Sequence, residues 1–166
     1  MDTYCEQLVR IKKGAKFYFG VIGLWFAVLL IAFFSMLYLR VLAAVIIVAA
    51  GYGAYYLMGF LLVEYEYIIT NGELDIDIIY SKRSRKRLAT FELSEVESIE
   101  KYNGEYVDKN KYKKAVIACD VKADNAYRFV FNGESGLKIA IITPDARTRE
   151  EVVKFVPRFV GNSAFK

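Results

Sequence analysis

The chain has no histidine, two cysteines and two prolines among its 166 residues. The missing imidazole removes the commonest general base, the commonest metal ligand and the usual partner of a catalytic serine or cysteine. Cys5 and Cys119 are far apart and lack motif spacing, so no disulfide framework is indicated and free thiols fit a reducing compartment. Charge is scarcest between residues 17 and 63, where Arg40 is the only ionisable acid or base of the Asp, Glu, Lys and Arg set. Each half of that stretch can form a helix long enough to cross a hydrocarbon core of about 30 Å. The expectation is a transmembrane helical hairpin with spans at about 17–38 and 42–63.

A cleaved signal peptide fits less well, because the first apolar run is too long for a signal core and the second follows at once. Basic residues flank the spans on one side: Arg10, Lys12, Lys13 and Lys16 before them, Lys82 to Arg87 after them. Arg40 marks the turn on the far side. The positive-inside rule then puts both termini in the cytoplasm, in a cell-membrane protein with two spans. Residues 1–16 read as a cytoplasmic basic lead-in, residues 64–166 as a single cytoplasmic domain.

From Glu64 the apolar period changes to two. Tyr65, Tyr67 and Ile69 alternate up to Asn71-Gly72, a strong signal for a tight hairpin. Further strands are expected at about 74–80, 88–93, 96–102, 115–121, 127–131 and 137–141. Thr143-Pro144-Asp145 opens a helix whose apolar stripe runs from Val152 to Val160, with Pro157 ending or kinking it. Ala49 and Gly53, and Ala50 and Ala54, are pairs of small residues four apart in the second span. Such spacing suits close helix packing, within the hairpin or against a second copy.

Seven strands closed by one helix are similar to a pleckstrin-homology-like (PH-like) domain. The run Glu64 to Asp77, the run Lys82 to Glu97 and the ending Phe155-Val-Pro-Arg158 resemble a family of small bacterial membrane proteins in which two spans precede such a domain. The resemblance implies an α+β membrane protein: a two-helix hairpin, then a seven-stranded antiparallel barrel or sandwich capped by a C-terminal helix. It assigns no activity, so no catalytic residue is carried over. Phosphoinositide pockets of pleckstrin domains use the first strand–strand loop; read as Asn71-Gly72, that loop holds no basic residue and argues against such a pocket.

The basic turn is the foremost candidate site. Lys82, Arg83, Arg85, Lys86 and Arg87 follow a strand that leaves the second span and a strand that returns, which sets them at the level of anionic headgroups. Asp75 and Asp77, with Glu64 and Glu66, read as a solvent-facing strand surface rather than a metal or acid–base pair. Cys119 reads as a buried small hydrophobe. The loop 103–113, with Lys101, Lys109, Lys111, Lys113 and Lys114 among Tyr102, Tyr106 and Tyr112, is a candidate protein-contact surface. No metal, no cofactor and no nucleic acid is expected. The functional expectation is a non-catalytic, membrane-anchored PH-like interaction module in contact with membrane lipids. The alternative is a structural or regulatory subunit of a membrane complex or homo-oligomer.

Overall fold

The computed structural model describes residues 3–165 apart from 12, 106–111, 120–122 and 134–135, and describes Lys16 by its backbone alone. It divides into two units: residues 12–63, and residues 1–11 together with 64–166.

The first unit is a helical hairpin. Helix α1 spans Ala15–Tyr38 and α2 spans Ala43–Leu61. Both are long and apolar enough to cross a membrane. Arg40 lies in the short turn between them. Val63 belongs to the next strand, so the second helix ends two residues before the expected boundary. Ala43 and Ala54 are buried against the partner helix, and Ser35, also buried, returns its hydroxyl to the Ile31 carbonyl. Ala49 is exposed, and a Cβ on Gly53 would meet nothing within 4 Å. Of the two small pairs, Ala50 and Ala54 lie on the inward side, whereas Ala49 and Gly53 do not.

The second unit starts before the hairpin. Strand β1, Tyr4–Arg10, pairs antiparallel with β2, Val63–Thr70, in continuous register from Tyr4↔Thr70 to Arg10↔Glu64. The expected lead-in over residues 1–16 is therefore corrected: Tyr4–Arg10 within it is the edge strand of the domain. Its inward side chains explain why. Cys5 is buried in the core, Val9 packs against it, and Gln7 donates to the Thr143 carbonyl and accepts from the Asp145 N–H.

Strands β3 (Glu73–Tyr80) and β4 (Ser84–Glu92) complete a sheet of order β1-β2-β3-β4. Asn71 and Gly72, both at positive φ, make the expected tight turn between β2 and β3. This is the second connection of the sheet. The first connection carries both helices, so the sequence argument that equated the first loop with Asn71-Gly72 does not hold. A bulge between Ile76 and Asp77 lets Leu88 and Ala89 both turn toward the core.

A short 3-10 turn, Leu93–Glu95, leads to the second sheet. It contains β5 (Val96–Lys101), β6 (Lys114–Ile117), β7 (Tyr127–Gly133) and β8 (Gly136–Ile142), in order β5-β7-β8-β6, with β6 parallel to β8. Among the described residues the two sheets total eight strands and do not join into a barrel, which corrects the seven-stranded antiparallel expectation. Val116 and Ala118, rather than Ala115 and Ile117, face the main core; Ile117 is exposed. Helix α3, Ala146–Phe155, is capped by Asp145, whose carboxylate accepts from the Thr148 N–H at 2.7 Å. Pro157 ends it, and one further turn, α4 (Arg158–Gly161), follows.

The core lies between the sheets and under α3 and α4. Phe91 of the first sheet stacks on Phe131 of the second with centroids 3.9 Å apart. Tyr67 is buried with its hydroxyl donating to the Ala118 carbonyl and accepting from the Thr143 N–H at 3.2 Å. Burial pushes its phenol up to about 12. A smaller cluster on the other face of the second sheet holds Tyr102, Cys119, Val130, Ile139 and Ile141. Tyr102 and Cys119 are thus core residues. Of the candidate contact loop, Tyr106, Lys109 and Lys111 lie outside the described residues, as does Lys12.

Candidate functional site

The four strands of the first sheet bring one end of it together. Arg10 ends β1, Glu64 lies at the start of β2, Tyr80 ends β3 and Ser84 begins β4. Because β2 and β3 each have eight residues, the turn after β3 returns to the level at which β2 begins. Ser81 and Lys82 make that turn, both with positive φ, at 50° and 58°. The Arg83 N–H closes it on the Tyr80 carbonyl at 2.9 Å. Side chains with a Cβ rarely take this conformation, and two in succession are costly. A recess of about 340 Å³ opens here, lined by Arg10, Glu66, Lys82, Arg83 and Arg85 among others.

The basic run divides into two groups. Arg85 and Arg87 lie on the outer face of the sheet, opposite a row of carboxylates. Arg85 reaches Glu66 at 2.5 Å and Asp77 at 3.9 Å; Arg87 reaches Asp75 at 2.9 Å and Asp77 at 3.0 Å. Hydrogen bonding to Asp77 raises the already high Arg87 pKa. Lys82 and Lys86 form no ion pair among the described residues and are exposed. Arg10 pairs with Glu64 at 3.0 Å. Lys13 sits 4.9 Å from the Phe17 ring centroid within the hairpin unit.

The carboxylates are not a solvated strand surface. Glu66 is 3% and Asp77 2% exposed, so the expectation of a solvent face fails for both. Burial raises the Glu66 pKa, Arg85 opposes this, and a hydrogen bond with Glu6 raises it further. Glu6 moves the other way: its carboxylate accepts from the Tyr4 hydroxyl at 2.5 Å and from Glu66, and both hold it below its ordinary value. Of this pair, Glu66 is the member whose pKa is raised and Glu6 the member whose pKa is lowered. No cluster of three potential metal ligands occurs among the described residues. The arrangement is a self-neutralising lattice with lysines at its edge.

Two sheets, a C-terminal helix and a charged sheet end, joined to two apolar helices, fit a PH-like domain. The chain belongs to the bacterial PH-like domain family DUF6106, whose model matches residues 1–162. That match includes β1 and both helices. No curated protein and no solved structure matches it.

Proposed function

We propose that this protein is a non-catalytic interaction module, anchored in the cytoplasmic membrane by its hairpin, with the Lys82–Arg87 end of the domain turned to anionic lipid. The observation that carries this reading is the placement of the hairpin within the first connection of the sheet. Chain leaves at Arg10 and returns by Val63, at the sheet end that also carries the basic turn. Pairing of β1 with β2 supports an even number of crossings, since both strands must lie on one side of the bilayer. The flanking basic residues Arg10, Lys13, Lys82 and Lys86 favour the cytoplasmic side.

Lys82 is the foremost lipid contact, and Lys86 extends it. Arg85 and Arg87 contribute less than the sequence suggested, because acids on the same face already offset them. Each uncompensated lysine near an anionic surface contributes about 1 kcal/mol. The strained backbone at Lys82 supports a role for its side chain, since glycine would fit the turn better.

The test is lysine acylation of the full chain in nanodiscs, read by mass spectrometry. Phosphatidylglycerol should protect Lys82 and Lys86 relative to phosphatidylcholine, with Lys154 unchanged. Equal rates at Lys82 in the two lipids would remove lipid contact from the proposal. Extraction of the chain from membranes by alkaline carbonate would remove the anchor.

The outward Ala49–Gly53 pair favours a second reading, a homo-oligomer or a subunit of a larger membrane complex. Cysteine cross-linking at Ala49→Cys in intact membranes tests it; failure to trap any pair or neighbouring subunit counts against it.

A further inference from the structure

We infer that a second basic site, between β4 and the β6–β8 pair, binds a small oxyanion of the phosphate class. Lys114 and Lys138 are direct partners in the parallel β6–β8 ladder, so their side chains share one face. Like charges placed opposite each other in a sheet repel. Both line a recess of about 50 Å³ whose other walls are Ala89, Thr90, Val116, Phe131 and Ile139. No carboxylate lines it, and neither lysine takes part in an ion pair among the described residues.

The lysines are held in place. The Lys114 ammonium donates to the Leu88 carbonyl at 2.7 Å, which anchors it beside the exposed edge of β4. The Lys138 ammonium lies over Gly133, where a Cβ would come within 2.5 Å of it. Gly133 has no positive φ, so the missing side chain provides room for the lysine rather than for the backbone.

One lysine is enough to guard a strand edge against pairing with another chain. Two register partners lining one recess, with no carboxylate among its described walls, give a local positive field that a compact anion relieves. The recess has room for a compact group. A tetrahedral oxyanion meets these limits, as free phosphate or as the phosphate of a lipid headgroup. The site is independent of lipid contact at Lys82: it uses different strands and different lysines.

The experiment uses the full chain in phosphatidylcholine nanodiscs, with the thermal midpoint read by circular dichroism. Inorganic phosphate at constant ionic strength should raise the midpoint saturably, and chloride should not. Lys138→Gln should weaken the apparent affinity about tenfold, as for loss of one charged contact. Lys114→Gln should do the same, and Gly133→Val should match Lys138→Gln by displacing the ammonium. Lys154→Gln serves as the folded control and should leave the response intact. If phosphate still raises the midpoint in phosphatidylglycerol nanodiscs, the anion is soluble; if the lipid abolishes the phosphate response, the headgroup occupies the site. Absence of a phosphate-specific shift in phosphatidylcholine, or a full shift in Lys138→Gln, overturns the proposal.

Discussion

Arg10 and Glu64 are register partners in adjacent strands and form an ion pair at 3.0 Å, although both long helices lie between them in sequence. The pair closes the sheet at the point where the chain departs and returns. Residues before the helices are therefore part of the domain that follows them. Gln7→Ala should show this directly. It removes one hydrogen bond to the Thr143 carbonyl and one from the Asp145 N–H, at the start of α3. The expected cost is about 1–3 kcal/mol, measured by urea unfolding in detergent. A change within error would mean that β1 is dispensable.

Tyr67→Phe is expected to destabilise by about 1–3 kcal/mol, because the Ala118 carbonyl and Thr143 N–H lose their buried partner. The wild-type phenol should not ionise below pH 11, given a pKa of about 12. Ultraviolet titration against the Tyr67→Phe variant isolates that one group.

Gly72→Ala tests the far turn. Its φ of 94° strains any side chain, and a Cβ would stand 2.9 Å from the Phe155 ring. A loss of about 2 kcal/mol or more is expected. Asn71→Gly, in the same turn, should change stability by less than 1 kcal/mol, so the two variants separate crowding from general sensitivity of the loop.

Lys82→Gly should act in opposite directions on two measurements. Relief of the left-handed backbone at Lys82 should stabilise the domain by about 1 kcal/mol. Loss of the ammonium should weaken association of the basic turn with anionic lipid, read as acylation of Lys86 in phosphatidylglycerol nanodiscs. A destabilised variant with unchanged Lys86 protection contradicts both halves.

Glu66 supplies the pH prediction. Its folded pKa is raised, chiefly by burial, so the fold favours the protonated acid. Stability from this group is present below the ordinary carboxylate range and is lost as pH rises through the raised value. Glu66→Gln should therefore unfold at higher urea than wild type at neutral pH, and the gap should close on acidification toward pH 4. A gap that widens on acidification would contradict a raised Glu66 pKa.

Much of the fold is legible in the sequence because local signals agree. Alternation around Tyr67, Ile76 and Phe129, the Asn71-Gly72 turn, and the Asp145 cap each point to the element that forms. The first strand is not legible in this way. Its inward residues are Cys5, Gln7 and Val9, an alternation broken by the polar Gln7, and its partner lies beyond two helices. The charge lattice is hidden for a related reason. Pairing of Arg87 with Asp77 depends on the bulge in β4, which no residue of that strand announces. Lys114 and Lys138 become neighbours only through a parallel ladder between strands far apart in sequence.

The interrupted sheet also fixes an order of events during synthesis. Strand β1 leaves the ribosome first, and its partner β2 emerges only after both helices have been made. Until then Cys5 and Val9 have no core to enter. Domains generally fold as units as the chain appears, with long-range pairings last. Here completion of the first sheet must await synthesis of both apolar helices, so a chain interrupted within them is left with an unfinished sheet that quality-control proteases can recognise.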